Sequence, residues 1–287
     1  MRERRYVVVD VFTSTPLRGN PVAVLLDAED IDAAAMQRLA AWTNLSETVC
    51  VLPPTTPEAS YRVRIFTPRE ELPFAGHPAL GTAHAVIEAG LVPRSPTLRQ
   101  ECGAGVLGLR LEDERFWVRT PPAQVLSDDP ETLRVVEEML GAPLLRAAGA
   151  RIVDLGPTWL VVQVDEVAAL RAARPDLLGI EGLSRDLGLT GVTAFAVDPQ
   201  ADPRVVVRSF APASGVPEDP VCGSGNASVA AFLAAAKRLD RLGPSWTASQ
   251  GREVGRDGTV AVRVSDDGAT IEVGGAAVTV VAGVLRL

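Results

Sequence analysis

The sequence predicts an α+β protein made of two pseudo-symmetric units, each a mixed sheet wrapped around one long apolar helix. Three observations lead there. The two halves echo each other at a nearly fixed offset. Each half holds one helix of small apolar residues, Pro78 to Ala89 and Ala227 to Ala236. Short strand-like segments separated by Gly, Pro and Asp flank both helices.

The echo is explicit in the residues. Leu45-Ser46 matches Leu189-Thr190, and Phe66-Thr67-Pro68 matches Phe210-Ala211-Pro212, both at an offset of 144. Gly76-His77 pairs with Gly223-Ser224 and Ala83 with Ala230 at 147, and Gly19-Asn20-Pro21-Val22 pairs with Gly156-Pro157-Thr158-Trp159 at 137. Segments this short also match by chance, but the order of elements holds while loop lengths drift. Thr120-Pro121-Pro122 is the best boundary, giving one unit of residues 1–119, completed by the C-terminal strand 277–287, and a second of residues 120–276.

Along the first unit, Tyr6 to Phe12 and Pro21 to Leu26 read as strands joined by a Thr, Pro and Gly turn. A helix is expected from Asp30-Ile31 to Thr43, capped by Asp30, with Ile31, Ala35, Leu39 and Trp42 at helical spacing. Leu45 to Leu52 and Tyr61 to Phe66 read as strands. Gly76 to Gly90 is a helix with Pro78 in its first turn and Gly90 as the left-handed terminator. In the second unit the matching helix is expected from Ser224 to Asp240, ended by Gly243-Pro244, with Lys237 and Arg238 in its last turns. Val260 to Val264, Ala269 to Val273 and Val278 to Leu287 close the chain as strands.

Composition excludes several function classes. With 28 Lys plus Arg against 36 Asp plus Glu among 287 residues, the net charge is −8, the wrong sign for a nucleic-acid surface. The richest apolar run, Ala230 to Ala236, is stopped by Lys237 and Arg238, well short of the roughly 18 residues a bilayer requires. Met1-Arg-Glu-Arg-Arg leads into a strand, not a signal-peptide apolar region, so a cytoplasmic location is expected. Cys50, Cys102 and Cys222 fit neither a disulfide framework nor a zinc knuckle, and with only His77 and His84 no metal site is expected.

Three places can carry chemistry. If Leu45 to Leu52 is extended, Glu47 shares a face with Leu45, Val49 and Val51; desolvation there raises a carboxyl toward neutrality and suits a group that removes and returns a proton. Its repeat partner is Gly191, so the acid is not demanded by the unit's architecture. The same Glu also reads as an edge residue with its tip in water. Gly76-His77-Pro78 puts His77 at an N-cap, where a helix terminus offers N–H groups to an anion; it equally reads as a plain cap. His84, seven residues on in the apolar helix, reads as a hydrogen-bonded structural residue. The loop Glu218-Asp219-Pro220-Val221-Cys222-Gly223-Ser224-Gly225-Asn226 precedes the matching helix. There the N–H groups of Gly223, Gly225 and Asn226 with Ser224 form a second anion terminus, small residues allow close approach, and Ser224 also reads as a plain N-cap. Gly223-Ser-Gly225-Asn-Ala-Ser228 lacks the third glycine of a dinucleotide fingerprint, and no Gly-x-Ser-x-Gly elbow is present.

Asp10-Val-Phe-Thr, Gly19-Asn-Pro-Val-Ala-Val, Asn44-Leu-Ser-Glu47-Thr, Phe74-Ala-Gly76-His77-Pro-Ala-Leu-Gly81-Thr-Ala and Glu218-Asp219-Pro-Val-Cys-Gly223-Ser224-Gly together resemble the phenazine biosynthesis PhzF-like family over nearly the whole chain. The resemblance implies the diaminopimelate epimerase-like fold, two similar halves with the active-site cleft between them. It implies a cofactor-independent isomerase that moves a proton between carbons of a small carboxylate-bearing substrate, with Glu47 as general acid/base and His77, Asp219, Gly223 and Ser224 holding the substrate. The expected partner is a small anionic or zwitterionic metabolite, with no membrane, and the expected assembly is a homodimer. Two departures stand out. Asn226 replaces a frequent histidine, which is expected to alter the polar lining. Cys222 lies where related two-cysteine epimerases keep one thiol, with Ala75 at the facing position. An amino-acid epimerase or racemase, and a non-catalytic binder of a small metabolite, are the alternatives.

Overall fold

In the computed structural model, residues 2–127 and 130–287 are described, and the chain divides into two compact units. One comprises the chain up to Val118 with Gly274–Leu287; the other is Arg119–Val273.

The first unit contains β1 (Glu3–Val11), β2 (Asn20–Leu25), α1 (Ala33–Thr43), β3 (Thr48–Leu52), β4 (Tyr61–Phe66), β5 (Glu71–Leu72), α2 (Gly76–Glu88), β6 (Thr97–Cys102), β7 (Gly105–Glu112) and β8 (Arg115–Arg119), and it takes back β18 (Ala277–Arg286). β18 lies antiparallel to β1 and β1 antiparallel to β2; β2 runs parallel to β3, β3 antiparallel to β4, and β4 parallel to β6. α2 is buried along nine of its residues, and a Cβ on Gly81 would stand 2.5 Å from Val22, so only glycine lets the helix approach β1 and β2 this closely.

The second unit contains β9 (Gln124–Ser127), α3 (Pro130–Leu140), β10 (Ala150–Asp154), β11 (Thr158–Gln163), α4 (Val167–Ala172), α5 (Leu177–Leu187), β12 (Gly191–Val197), β13 (Val205–Ala211), β14 (Val216–Asp219), α6 (Gly223–Ala235), β15 (Ser245–Gln250), β16 (Gly258–Val264) and β17 (Ile271–Gly275). Its ladder repeats the first. β10 is antiparallel to β11, β11 parallel to β12, β12 antiparallel to β13, and β13 parallel to β15. Ala23 stands opposite Thr48 and Leu160 opposite Val192, offsets of 137 and 144; Thr48 faces Phe66 and Val192 faces Phe210, again at 144. The repeat read from short motifs is therefore a repeat of hydrogen-bond register. α6 is apolar all round and buried from Gly225 to Leu233, as a helix enclosed by a sheet must be.

Four local expectations are corrected. α1 is capped by Asp32, whose carboxylate accepts the Ala35 N–H at 2.7 Å, while Asp30 sits at φ 64, outside the helix. The buried stripe is Met36, Leu39 and Ala40, and Trp42 is 76% exposed. β3 begins at Thr48, because Asn44 ends α1 in the left-handed region and Leu45-Ser46 bend; the Glu47 carbonyl accepts the Ala23 N–H one step before the ladder. α6 stops at Ala235: Lys237 takes φ 55, its N–H donates to the Ala234 carbonyl and that of Arg238 to Leu233. This is the helix stop that Gly90 makes after α2, with Gly90 bonded to Ile87 and Leu91 to Val86.

Candidate active site

The expected site residues fall into two groups, one in each unit. In the first unit, Glu47 stands at the end of the bend before β3 and His77 in the first turn of α2. The helix is capped by extended Ala75 without a side-chain bond, so His77 is not the N-cap. The fold brings Glu47 Oε2 to 3.4 Å from His77 Nε2, both side chains largely buried. His77 is hydrogen-bonded to the Pro21 backbone, and Nε2 makes no hydrogen bond, so the bond to the Pro21 carbonyl is donated by Nδ1–H. Loss of water around the ring pushes its pKa down to about 3, outweighing the Pro21 bond, which acts in the opposite direction. His77 is thus neutral, with its Nε2 lone pair turned toward Glu47. Such a ring supplies no charge to a carboxylate, but it accepts a hydrogen bond from the carboxylic acid. His84 serves elsewhere: its Nε2 meets Thr279 Oγ1 at 3.1 Å and its ring meets Phe116 edge-on.

In the second unit, Asp219 ends β14 and Gly223 and Ser224 open α6. The N-cap is Cys222, whose sulfur accepts the Gly225 N–H at 3.2 Å, while the Asn226 N–H bonds back to the Cys222 carbonyl. The Gly225 and Asn226 amides are therefore spent inside the helix. Only those of Gly223 and Ser224, without a protein acceptor among the described residues, are left for an anion. Gly225 is small for a different reason than ligand approach: a Cβ there would stand 2.4 Å from Ser209 Oγ of β13.

Asn226 is buried and does not alter the polar lining. Its Nδ2 donates to the Cys222 carbonyl and to Gln250 Oε1, both at 2.9 Å. Gln250 also accepts the Cys222 N–H and donates to the Asp219 carbonyl, so one amide pair ties the loop to β15. From the other side, buried Arg208 grips Glu218 with two bonds of 2.9 and 2.8 Å and donates to the Leu170 and Ala173 carbonyls, which fixes β14. Asp219 accepts the Val221 N–H at 3.0 Å, and burial of its carboxyl pushes the pKa up to about 6. Burial also raises the Cys222 thiol well above 9, so it is no thiolate. Ser224 keeps partial exposure, and its Oγ accepts Trp159 Nε1–H at 3.0 Å.

Gln250, Arg208 and Trp159 were not legible as site residues. The first two act on loop backbone and on Glu218 from distant strands. Trp159 did carry a signal, its pairing with Val22 at offset 137.

The family model described as phenazine biosynthesis-like protein, PhzC-PhzF, matches residues 9–283. The trans-2,3-dihydro-3-hydroxyanthranilate isomerase of Pseudomonas aeruginosa is 36% identical over 276 residues, 94% of this chain and 95% of that one. The antisense-enhancing sequence 1 protein of Schizosaccharomyces pombe is 36% identical over 99% of both chains. Among solved structures, a PhzF-family phenazine biosynthesis protein from Bacillus anthracis superposes with a TM-score of 0.86 at 23% identity, covering 100% of both chains. A hydroxyproline epimerase from Agrobacterium vitis shares the fold with a TM-score of 0.65 at 16% identity, covering 100% of this chain and 93% of that one. The fold is that of the diaminopimelate epimerase-like proteins, and the chain belongs to the phenazine biosynthesis-like PhzC-PhzF family as one of its isomerases.

Proposed function

We propose that this isomerase moves a proton between two carbons of a small carboxylate-bearing ring, a dihydro-hydroxyanthranilate or a close analogue, with Glu47 as the single acid/base and no cofactor. The observation that carries this reading is Glu47 Oε2 at 3.4 Å from the lone pair of a neutral His77. The Glu47 carboxylate takes the proton as a C–H bond breaks, the electron pair of that bond forms a new double bond to the adjacent carbon, and the pair of the existing double bond moves to its far carbon. The resulting carboxylic acid donates a hydrogen bond to His77 Nε2, which holds the proton without removing it. That far carbon then takes the proton, and Glu47 is a carboxylate again. His77, Asp219, Gly223 and Ser224 are the substrate-holding residues, the N–H groups at the start of α6 and the Ser224 hydroxyl serving the negative oxygens.

The epimerase reading is the weaker one. A thiol pair needs cysteine at both helix caps, and Ala75 occupies the first. A carboxylate opposite Glu47 in the repeat is precluded as well, since any Cβ on Gly191 would lie 1.9 Å from the Phe210 carbonyl oxygen. We read the enzyme further as a cytoplasmic homodimer; no helix among the described residues is long and apolar enough to cross a membrane.

The test is turnover of trans-2,3-dihydro-3-hydroxyanthranilate in deuterated water. Wild type is expected to isomerise it and label the product, and Glu47→Gln to lose about 10²- to 10⁴-fold in rate while still binding. A Glu47→Gln enzyme that labels as fast as wild type overturns the mechanism.

A further inference from the structure

The hydroxyl of Ser224 is held in a way that fixes what it can do. An indole N–H only donates, so Trp159 Nε1–H at 3.0 Å occupies a lone pair of Ser224 Oγ and turns the hydroxyl hydrogen away from the ring. Trp159 is 2% exposed and seated in β11, so the donor is fixed by packing. Among the described residues, the other polar neighbour of Ser224 is Cys222 Sγ at 3.5 Å, a weak acceptor that already receives the Gly225 N–H. The Ser224 hydrogen therefore moves to a ligand oxygen at little cost. Cys222, Gly223, Gly225 and Asn226 around it are buried, while Ser224 keeps exposed surface.

The repeat explains why a tryptophan stands here. His77 and Ser224 are equivalent second residues of α2 and α6, and each is met by a side chain from the opening of a parallel strand pair. In the first unit the ladder opens at Ala23 and Thr48, and Glu47, one step before it, reaches His77. In the second it opens at Trp159 and Gly191, and Trp159 reaches Ser224. One scaffold position thus carries a proton acceptor in one unit and an N–H donor, supplied by the neighbouring strand, in the other.

We propose that Trp159 is a positioning residue for substrate binding: its indole N–H anchors Ser224 Oγ and leaves the hydroxyl hydrogen aimed away from the ring, to be donated to an anionic oxygen of the substrate. The proposal rests on the reading above that Ser224 contacts substrate. It is tested by titrating 3-hydroxyanthranilate, the flat aromatic analogue of the relative's substrate, into wild type, Trp159→Phe, Ser224→Ala and the double variant. Trp159→Phe is expected to weaken binding about tenfold, and in the Ser224→Ala background to add less than about twofold. With substrate, the same loss is expected in KM, with kcat close to wild type. Trp159→benzothienylalanine, which exchanges only the N–H for sulfur, repeats the test should phenylalanine disturb the core. Wild-type affinity in both Trp159 variants, or a full additional tenfold loss in the double variant, would overturn the proposal. Undiminished turnover in Glu47→Gln would remove the proposed reaction while leaving this coupling, measured by binding alone, intact.

Discussion

Two buried side chains in the candidate site titrate in opposite directions, and each leaves a mark on stability. The Asp219 carboxyl has its pKa raised from 3.8 to about 6 by burial. Between those values the folded protein keeps a proton that the unfolded chain has released, so stability falls as pH rises through the window, by up to roughly 3 kcal/mol. The His77 ring is depressed from 6.5 to about 3, so its contribution is complete above pH 6.5 and is lost as pH falls toward 3. The two slopes oppose each other between about pH 4 and 6, so denaturant melts from pH 4 to 8 are expected to change little up to pH 6 and to level off above about pH 7. Asp219→Asn should remove the opposing slope, so that stability rises with pH between about 4 and 6.5 as His77 alone dictates, and should melt higher than wild type at pH 8 while binding 3-hydroxyanthranilate more weakly. A Asp219→Asn variant with the wild-type pH profile would show that this carboxyl is not the group responsible.

At the scale of elements, the repeat makes paired helix ends comparable. After α2 the left-handed stop is Gly90; after α6 the same position is Lys237 at φ 55, where a side chain is strained. Lys237→Gly is expected to stabilise the protein by about 1 kcal/mol, read as a higher denaturation midpoint with unchanged activity. Gly191→Ala is expected to do the reverse by several kcal/mol or to abolish soluble expression, because the obstructing Phe210 carbonyl belongs to the β13 ladder and has nowhere to move. These same ends explain what the residues revealed and what they hid. The apolar helices were legible because enclosure demands small apolar side chains all round. The end of α6 was not, since its left-handed stop is a lysine and the next glycine in the sequence is Gly243. Asp30 and Asp32 are both competent caps by type, and only the backbone turn decides between them. Strand alternation extended back through Glu47 could not foresee that Asn44 reverses the chain, so Glu47 stands before β3, and its approach to His77 came from a bend instead of a sheet face.

For the molecule as a whole, the charge of −8 sets a field that opposes an anionic substrate, so attraction must come locally from helix N-termini and hydroxyl donors. Raising ionic strength from about 10 to about 150 mM is expected to increase kcat/KM for an anionic substrate modestly, within about threefold, as that field is screened; a steep fall would point instead to steering by a basic surface. The duplicated architecture was legible because offsets of 137 and 144 preserve strand register, and the polar residues were legible because they break the repeat at Glu47 and at the Asp219 loop. Trp159 and Gln250 were hidden because their part is to hold other site residues. The central claim is that one carboxyl both takes the proton and returns it, in partial exchange with solvent. It is tested most directly in a single turnover, in ordinary water, of substrate deuterated at the carbon that loses its hydrogen. The account predicts product carrying a measurable share of that deuterium at the carbon that gains hydrogen; complete loss of the label to solvent would contradict it.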